Sequence, residues 1–357
     1  MKVVVLGASG NAGVALLRAL EAEPRVEDIV AVARRPPDGW PSAKTTWRSL
    51  DIATDPLGPV VRGADVVVHH ARLIQPARDV EQCRAVNVIG SRRVMAAVAQ
   101  ARVPALVYAS SVGAYSRGPK DRLVDETWPT AGVPTSFYSR HKVEVERLLD
   151  GFELERPDVR VVRLRPGLIF QRGAASEIRR LFAGPFLPSS LVAPRWIPIV
   201  PRHPRLRFQA VHADDVAEAY RLAIVGDARG AFNVAADPIL DGEALGGLLD
   251  AYPIRVPAAA LRAGAAAAFH LRLTPTPPGW VDMALAVPLM DTARARDVLG
   301  WQPRCEAGSA LLELLEGIRT EAGSPTPTLE PGGAGRLRSH EILSGIGARG
   351  PGSPHDR

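Results

Sequence analysis

A glycine-rich segment near the start of the chain most constrains what it can fold into. Residues 7–13 read Gly-Ala-Ser-Gly-Asn-Ala-Gly, and they stand between an apolar run, Lys2–Leu6, and a helical pattern over residues 12–23. Glycine is needed where a strand turns sharply into a helix. Strand, glycine turn and amphipathic helix in this order predict the first unit of a parallel α/β fold.

The first half of the chain repeats this alternation of short apolar runs and longer helical patterns. Apolar strands without polar alternation are those that a parallel sheet buries on both faces. The expected strands are Lys2–Leu6, Asp28–Ala33, 65–69, Ala105–Ala109 and 160–164, and the expected helices are 12–23, 80–101 and 136–155. The pattern predicts an α/β fold with a doubly wound parallel (Rossmann) sheet.

The glycine-rich segment also predicts a dinucleotide site. Backbone N–H groups at a helix start lie at the positive end of the helix dipole, where a diphosphate binds. A plain strand-to-helix turn is the alternative, and the strand before and the helix after make it less favoured. The residues expected to contact the dinucleotide are Gly7, Ser9, Gly10, Asn11 and Gly13.

Arg34 and Arg35 follow the second expected strand, at the position that distinguishes the two nicotinamide coenzymes. An acidic residue there accepts hydrogen bonds from the adenosine ribose, whereas a guanidinium group binds a 2′-phosphate through paired charge-assisted bonds. The two arginines therefore favour NADP over NAD as the cofactor. Two solvated loop arginines are the alternative in a chain so rich in arginine.

Tyr138 and Lys142 lie four residues apart in a helical segment, so their side chains share one face. A phenol is a poor acid–base catalyst near neutral pH, and a neighbouring ammonium group favours the phenolate and lowers its pKa. Lys142 can also bind the nicotinamide ribose. Ser111 follows the strand Ala105–Ala109, where parallel strands present residues to ligands, and it can hold the reacting oxygen. These three residues are the predicted catalytic group.

With these motifs the chain resembles the extended short-chain dehydrogenase/reductases, in the NAD(P)-dependent epimerase/dehydratase branch. The resemblance covers about residues 1–318. It is carried by the 7–13 loop, Asp51-Ile52, residues 64–69 (Ala-Asp-Val-Val-Val-His), 87–90 (Asn-Val-Ile-Gly), 110–115 (Ser-Ser-Val-Gly-Ala-Tyr), Tyr138 with Lys142, Arg165-Pro166-Gly167, 211–217 (Val-His-Ala-Asp-Asp-Val-Ala), 232–234 (Phe-Asn-Val), and Ala293-Arg294 with Leu299-Gly300-Trp301.

The resemblance implies roles for residues that the patterns alone do not assign. Ser111, Tyr138 and Lys142 match the catalytic positions, and Asn87 matches a residue that stabilises the central strands. The matched coenzyme positions add Asp51, Ile52, His69, Arg165, Pro166 and Gly167. The resemblance further implies a small C-terminal substrate-binding lobe after Gly167, built mainly from residues 168–205 and 236–300.

The sequence leaves the reaction open among three hypotheses. The first is an oxidoreductase that interconverts an alcohol and a ketone or aldehyde by hydride transfer, with Tyr138 as acid and base. The second is a sugar-nucleotide epimerase, and the third is a non-catalytic dinucleotide-sensing protein, which the Tyr138/Lys142 pair disfavours. A dehydratase is also disfavoured, because Val112-Gly113 stand where that reaction needs an acid and a base after Ser111.

Composition excludes several other classes. The net charge is +6, but only 4 of the 44 basic residues are lysines and the arginines are spread along the chain, which argues against a nucleic-acid face. Cys83, Cys305 and the histidines show no metal-ligand spacing, so no metal site is expected. No apolar run is long enough to cross a membrane, and the first residues read as a strand and not as a signal peptide.

From these observations we expect a cytoplasmic enzyme that acts on a small-molecule substrate, with a homodimer left open. After Pro166 the patterns weaken, and six prolines in residues 182–204 predict an irregular loop. A strand at Phe208–His212, a helix at 214–224 and a strand at 231–234 follow. The expected organisation is one domain over residues 1–320 and a disordered Gly/Pro/Ser-rich tail over residues 321–357.

Overall fold

A parallel sheet of seven strands lies at the centre of the computed structural model, which describes residues 1–183 and 197–330. The strands of the described residues are β1 (Lys2–Leu6), β2 (Asp28–Ala33), β3 (Thr45–Ser49), β4 (Val66–His69), β5 (Ala105–Ala109), β6 (Leu123–Val124), β7 (Arg160–Pro166), β8 (Leu168–Phe170), β9 (Ile199–Arg202), β10 (Phe208–His212), β11 (Gly230–Val234), β12 (Ala236–Leu240), β13 (Tyr252–Arg255) and β14 (Leu289–Met290).

Helices cover both faces of this sheet. They are α1 (Asn11–Glu21), α2 (Gly58–Val61), α3 (Val80–Arg84), α4 (Ser91–Ala101), α5 (Phe137–Glu155), α6 (Ala175–Ile178), α7 (Ala213–Val225), α8 (Gly242–Leu249), α9 (Ala258–His270), α10 (Gly279–Ala286), α11 (Ala293–Leu299) and α12 (Ala307–Arg319). One buried cluster packs α1 and α7 against the sheet, and another packs α4 and α5 against its opposite face. The predicted doubly wound parallel sheet is confirmed.

The strand order β11-β7-β5-β4-β1-β2-β3 reverses direction at β1. The chain runs outward from β1 to β2 and β3, and then crosses back to β4 and continues outward on the other side. Ligands of doubly wound sheets bind at such a reversal, beyond the carboxyl ends of the strands. The crevice between the ends of β1 and β4 is therefore where a site is expected, and the glycine-rich loop lies there.

Most of the predicted elements are present, with shifted ends. The expected helix over residues 80–101 is divided into α3 and α4 by a wide helical turn at Ala85–Gly90. Within that turn the Asn87 side chain bonds to both backbone groups of Leu73, and Gly90 packs so closely on Ile52 that an added Cβ would lie 2.8 Å from its Cδ1. These contacts fix the position of the turn at Ala85–Gly90 relative to Leu73 and Ile52.

Smaller sheets lie beyond the carboxyl end of the main sheet. β10 pairs with β8 and β12, β9 pairs in parallel with β13, and β6 pairs with β14. Part of the segment predicted to be irregular, residues 182–204, forms strand β9, while residues 184–196 lie outside the described residues. The predicted strand at 231–234 is β11, and it joins the edge of the main sheet.

The structure differs from the prediction that disorder begins at residue 321. Leu329 is fully buried against Val14 and Ala174, and Thr326 is 2% exposed and donates a hydrogen bond to the Ser9 carbonyl oxygen. One apolar side chain and a few hydroxyl groups are enough to dock this segment, although its composition is that of a disordered tail. Residues 331–357 lie outside the described residues.

Candidate active site

The glycine-rich loop has the backbone geometry of a phosphate cradle. Gly7 has φ +85°, and a Cβ there would lie 2.5 Å from the Ala71 nitrogen, so the loop and the end of β4 touch. A Cβ at Gly13 would lie 2.6 Å from the carbonyl oxygens of Gly7 and Ala8. At Gly10, by contrast, a Cβ would meet only the Gly7 oxygen at 3.7 Å, which leaves its outer side open.

Helix α1 begins at this open side without a side-chain cap. Gly10 is its N-cap residue, and no acidic residue stands in the first turn. The first N–H groups of the helix, together with its dipole, therefore attract an anion. Because glycine at Gly10 keeps this approach clear, the predicted loop residues fit the diphosphate of a dinucleotide.

Two predicted loop residues contact other parts of the protein. The Asn11 side chain donates a hydrogen bond to the Ile169 carbonyl oxygen (3.2 Å), and its Oδ1 accepts one from Gln171 (2.6 Å). The Ser9 hydroxyl lies 3.0 Å from the Thr328 hydroxyl. These side chains tie the loop to the segment after β7 and to residues 322–330, which leaves backbone groups as the loop's means of binding a phosphate.

The residues predicted at the adenosine end lie beside the carboxyl ends of β2 and β3. Arg34 and Arg35 are both exposed and directly follow β2, and the Arg34 carbonyl oxygen accepts a hydrogen bond from Ser49 at the end of β3. Asp51 accepts a hydrogen bond from the Ala53 N–H, while Ile52 is buried. Both arginines therefore lie on the surface at this end of the sheet.

Tyr138, in the first turn of α5, is brought next to Ser111 by a glycine. Ser136 caps this helix, with its hydroxyl accepting a hydrogen bond from the Ser139 N–H. A Cβ at Gly113 would lie 3.1 Å from the Tyr138 ring and 3.4 Å from the Ser111 hydroxyl oxygen. The two predicted catalytic side chains therefore flank the same glycine, and both are largely buried.

Lys142 lies one helical turn after Tyr138 and reaches the end of β5. Its ammonium group donates hydrogen bonds to the Tyr108 hydroxyl (3.2 Å) and to the Ala109 carbonyl oxygen. Burial, followed by the charge of Arg72, holds the Lys142 pKa well below its usual range, while Glu146 acts in the opposite direction. A lysine so placed can hold a hydroxyl group and a proton close to Tyr138.

A small cavity joins Tyr138 and Lys142 to residues that sequence reasoning did not assign. It is lined by Ala71, Arg72, Asn87, Tyr108, Tyr138, His141 and Lys142. The His141 ring lies 3.3 Å from the Asn87 amide nitrogen, and burial lowers its pKa to about 4. Beside this lining, the Trp280 ring stacks on the Tyr138 ring, with the centroids 5.0 Å apart. Nothing in the sequence pattern links Trp280, on α10, to Tyr138.

Arg165, which is predicted to contact the coenzyme, has its side chain bonded to other residues of the protein. Its guanidinium group forms two hydrogen bonds with Glu146, a third with the Tyr115 hydroxyl and a fourth with the Glu126 carbonyl oxygen. It is 4% exposed. A buried guanidinium group takes an internal carboxylate when one is in reach, since an unpaired buried charge is costly.

His69, also predicted to contact the coenzyme, has its side chain bonded within the protein. Its ring is 1% exposed and bonds to the Ser91 hydroxyl at 2.8 Å, so it links β4 to α4. Burial and the charge of Lys142 lower its pKa to about 3, which keeps the ring neutral. Pro166 ends β7, and Gly167 lies so close to Gln209 that a Cβ would fall 2.5 Å from its carbonyl oxygen. These two residues shape the backbone at the carboxyl end of the sheet.

Within residues 1–183 and 197–330, no three His, Cys, Asp or Glu side chains gather as metal ligands would. None of the helices there has both the length and the apolar character needed to cross a membrane.

Comparison with known proteins gives both partial and extended similarities. An uncharacterised protein of Mycobacterium tuberculosis is 26% identical over 326 residues, which are 90% of this chain and 31% of that protein, so the chain spans less than a third of this relative's length. A Saccharomyces cerevisiae sterol-4-alpha-carboxylate 3-dehydrogenase, decarboxylating, is 34% identical over 110 residues, which are 31% of this chain and 31% of the yeast protein.

Solved structures share the fold over most of the chain. The Bacillus cereus UDP-glucuronic acid 4-epimerase, solved with UDP-glucuronic acid and NAD, superposes with a TM-score of 0.66 at 15% identity and covers 90% of this chain and 99% of its own. The fold of this solved structure agrees with the family that the site residues of the chain indicate. Because the model of the NAD dependent epimerase/dehydratase family matches residues 3–235, the chain belongs to this family of enzymes.

Proposed function

We propose that this protein is an NADP(H)-dependent oxidoreductase that interconverts an alcohol and a ketone or aldehyde. The observation that carries the proposal is that Tyr138, Lys142 and Ser111 converge beyond the carboxyl ends of β4 and β5. Lys142 lies one helical turn after Tyr138, and Ser111 lies on the other side of Gly113 from Tyr138. The phosphate cradle at Gly10 supplies the place for a dinucleotide. The bound coenzyme would accept hydride from the substrate carbon or deliver it.

The protein's own residues would handle the proton and the oxygen. The Ser111 hydroxyl would hold the substrate oxygen, and Tyr138 would take the hydroxyl proton during oxidation and return it during reduction. The Lys142 ammonium group, held by the Tyr108 hydroxyl and the Ala109 carbonyl oxygen, would bind the coenzyme ribose next to Tyr138. In balance, an alcohol and an oxidised coenzyme give a carbonyl compound, a reduced coenzyme and one proton.

The walls beside Tyr138 favour an apolar or cyclic substrate. Tyr138 belongs to a buried cluster with Phe137, Cys83, Met283 and Val287, and Trp280 packs against it. Substrate hydrocarbon that packs on the partly exposed Trp280 ring, beside the acid–base residue, would gain from its burial. The similarity to a sterol dehydrogenase in yeast supports the same class of substrate.

NADP as the preferred coenzyme is proposed from the exposed pair Arg34 and Arg35 after β2. Their positions suit a 2′-phosphate, and no carboxylate replaces them at the end of that strand. The Bacillus cereus epimerase was solved with NAD, so the assay below compares NADPH with NADH.

A sugar-nucleotide epimerase remains the second candidate, favoured by the fold shared with a UDP-glucuronic acid 4-epimerase. Binding a sugar nucleotide diphosphate calls for cationic groups in the later part of the chain. Arg205 and Arg207 instead donate to the carbonyl oxygens of Leu285 and Lys120, and Arg202 pairs with Glu243. These three arginines thus bond within the protein, which favours the oxidoreductase.

One set of assays separates the two candidates. The purified protein is mixed with NADPH or NADH and a panel of cyclic and aliphatic ketones and aldehydes, and the absorbance of the reduced nicotinamide is followed. We expect stoichiometric consumption of NADPH. Conversion of UDP-glucose to UDP-galactose without a net change in that absorbance would establish the epimerase instead, and the Tyr138→Phe variant is the control for both reactions.

A further inference from the structure

Arg72 lines the cavity beside Tyr138 and Lys142 and is separated from the end of β4 by His70 and Ala71. The cavity lining contains two cations, Arg72 and Lys142, and neither aspartate nor glutamate. The Arg72 charge is close enough to lower the pKa values of both Lys142 and His70. Two like charges in a partly desolvated cavity repel one another, so an anion that entered between them would be stabilised.

One carboxylate of the protein, Glu177, lies near Arg72: burial raises the Glu177 pKa to about 6, and the charge of Arg72 acts in the opposite direction, but the two side chains form no hydrogen bond. Within residues 1–183 and 197–330, Arg72 forms no hydrogen bond and no ion pair. Glu146 lies on the same helix as Lys142, but both of its oxygens are taken by Arg165, Arg163 and Ser110. A guanidinium group in this position is therefore available for paired hydrogen bonds to an incoming phosphate or carboxylate.

The position of the backbone at residues 70–72 indicates which anion Arg72 would bind. His70 donates a hydrogen bond from its N–H to the Leu6 carbonyl oxygen, and the Ala71 nitrogen lies where a Cβ of Gly7 would be only 2.5 Å away. Arg72 is thus one residue beyond the contact between β4 and the phosphate loop, at the reversal of the strand order. Its side chain extends from there into the cavity that holds Tyr138 and Lys142.

We propose that Arg72 binds the dinucleotide diphosphate, at the phosphate nearer the nicotinamide. The adenosine-side phosphate would take the N–H groups at the start of α1, while Arg72 neutralises the second charge between the loop and Lys142. This inference rests on the proposed coenzyme site and adds a side-chain cation to a cradle that otherwise consists of backbone groups.

The test measures coenzyme binding, without turnover, by isothermal titration calorimetry. The proteins are the wild type, Arg72→Met, Arg72→Lys and the matched control Arg92→Met, whose arginine is exposed on α4. The ligands are NADPH, NADH, ADP-ribose, which carries both phosphates, and AMP, which lacks the nicotinamide-side phosphate. Melting curves establish that each variant is folded.

We expect Arg72→Met to raise the Kd of ADP-ribose and of the preferred coenzyme about tenfold or more, and Arg72→Lys to raise it less. The Kd of AMP should change less than about twofold, and Arg92→Met should bind every ligand as the wild type does. Unchanged binding of ADP-ribose by Arg72→Met, or an equal loss of AMP binding, would overturn the proposal.

The outcomes also separate this inference from the proposed function. If the wild type binds the coenzyme and Arg72→Met binds it equally well, the inference fails while the oxidoreductase proposal stands. If Arg72→Met loses binding but no carbonyl compound is reduced by the wild type, the Arg72 assignment stands and the proposed reaction fails. If the wild type binds none of the dinucleotides, both are overturned.

Discussion

The guanidinium group of Arg165 and the carboxylate of Glu146 form a two-pronged ion pair behind the catalytic residues. The Nε–Oε1 distance is 2.9 Å and the Nη2–Oε2 distance is 3.0 Å, and Glu146 is 1% exposed. Glu146 also accepts a hydrogen bond from Ser110, the neighbour of Ser111, and it lies one helical turn after Lys142. The pair thus connects β7, the end of β5 and the helix that carries Tyr138.

Replacing Glu146 by Gln should strongly destabilise the protein. The change leaves Arg165 buried without a counter-charge, and breaking a buried pair in this way costs about 3–5 kcal/mol of unfolding free energy. Chemical denaturation followed by circular dichroism measures it. Glu155→Gln, at an exposed position on the same helix, is the control and should change the free energy by less than about 0.5 kcal/mol.

The cost of the Glu146→Gln change should disappear in acid. Burial alone would raise the pKa of Glu146, but the hydrogen bonds and charges of Arg165 and the bond from Ser110 hold it at about 2, below its usual 4.5. A lowered folded-state pKa gives stability that is complete above 4.5 and is lost as the pH falls towards 2. The wild type and the variant should therefore converge in unfolding free energy over this range. A difference in unfolding free energy between the wild type and Glu146→Gln that stays constant with pH would contradict an ionised Glu146 paired with Arg165.

Tyr138→Phe should abolish most turnover and leave coenzyme binding nearly unchanged. The ring and its stacking on Trp280 are kept, whereas the proton donor is removed, and such losses lower kcat by about 10²–10⁴-fold. Steady-state rates and coenzyme Kd values are compared with those of Tyr252→Phe, whose ring is 73% exposed on β13. Full activity in Tyr138→Phe would show that another group moves the proton.

The strands of the central sheet could be predicted because buried parallel strands are continuous apolar runs. β3 could not be found in the same way, since Thr45–Ser49 is polar and partly exposed. The chemistry of Tyr138, Lys142 and Ser111 was visible because it depends on local spacing along one helix and at one strand end.

Contacts between distant segments account for the differences in the site. The role of Arg165 depends on Glu146, a helical residue whose burial no local pattern shows, and the stacking partner of Tyr138 comes from α10. Residues 322–330 give a second example. Their composition predicts disorder, whereas the burial of one leucine, Leu329, docks the segment on the rest of the protein. Pairings of this kind are set by tertiary packing, which one sequence does not reveal.

Coenzyme preference should depend on Arg34 and Arg35. If they bind the 2′-phosphate, the wild type binds NADPH more tightly than NADH. Replacing both arginines by Ala should reduce the difference in binding free energy between the two coenzymes by about 1–3 kcal/mol, mainly because NADPH binds more weakly. Calorimetric Kd values for the two coenzymes measure this, with Arg92→Ala on exposed α4 as the control. Equal affinities in the wild type would overturn the proposed preference for NADP.

The last prediction concerns the segment that docks beside the phosphate loop. Leu329 is fully buried with Val14 and Ala174, so Leu329→Ala should lower the free energy of unfolding by about 2–5 kcal/mol, as the loss of a buried leucine does. Leu271→Ala, at a residue that is 70% exposed, is the matched control and should change it by less than about 0.5 kcal/mol. Because Val14 is on α1 and Thr326 bonds to Ser9, undocking should also loosen the loop and weaken coenzyme binding. A Leu329→Ala variant as stable as the control would mean that the segment does not stay docked in solution.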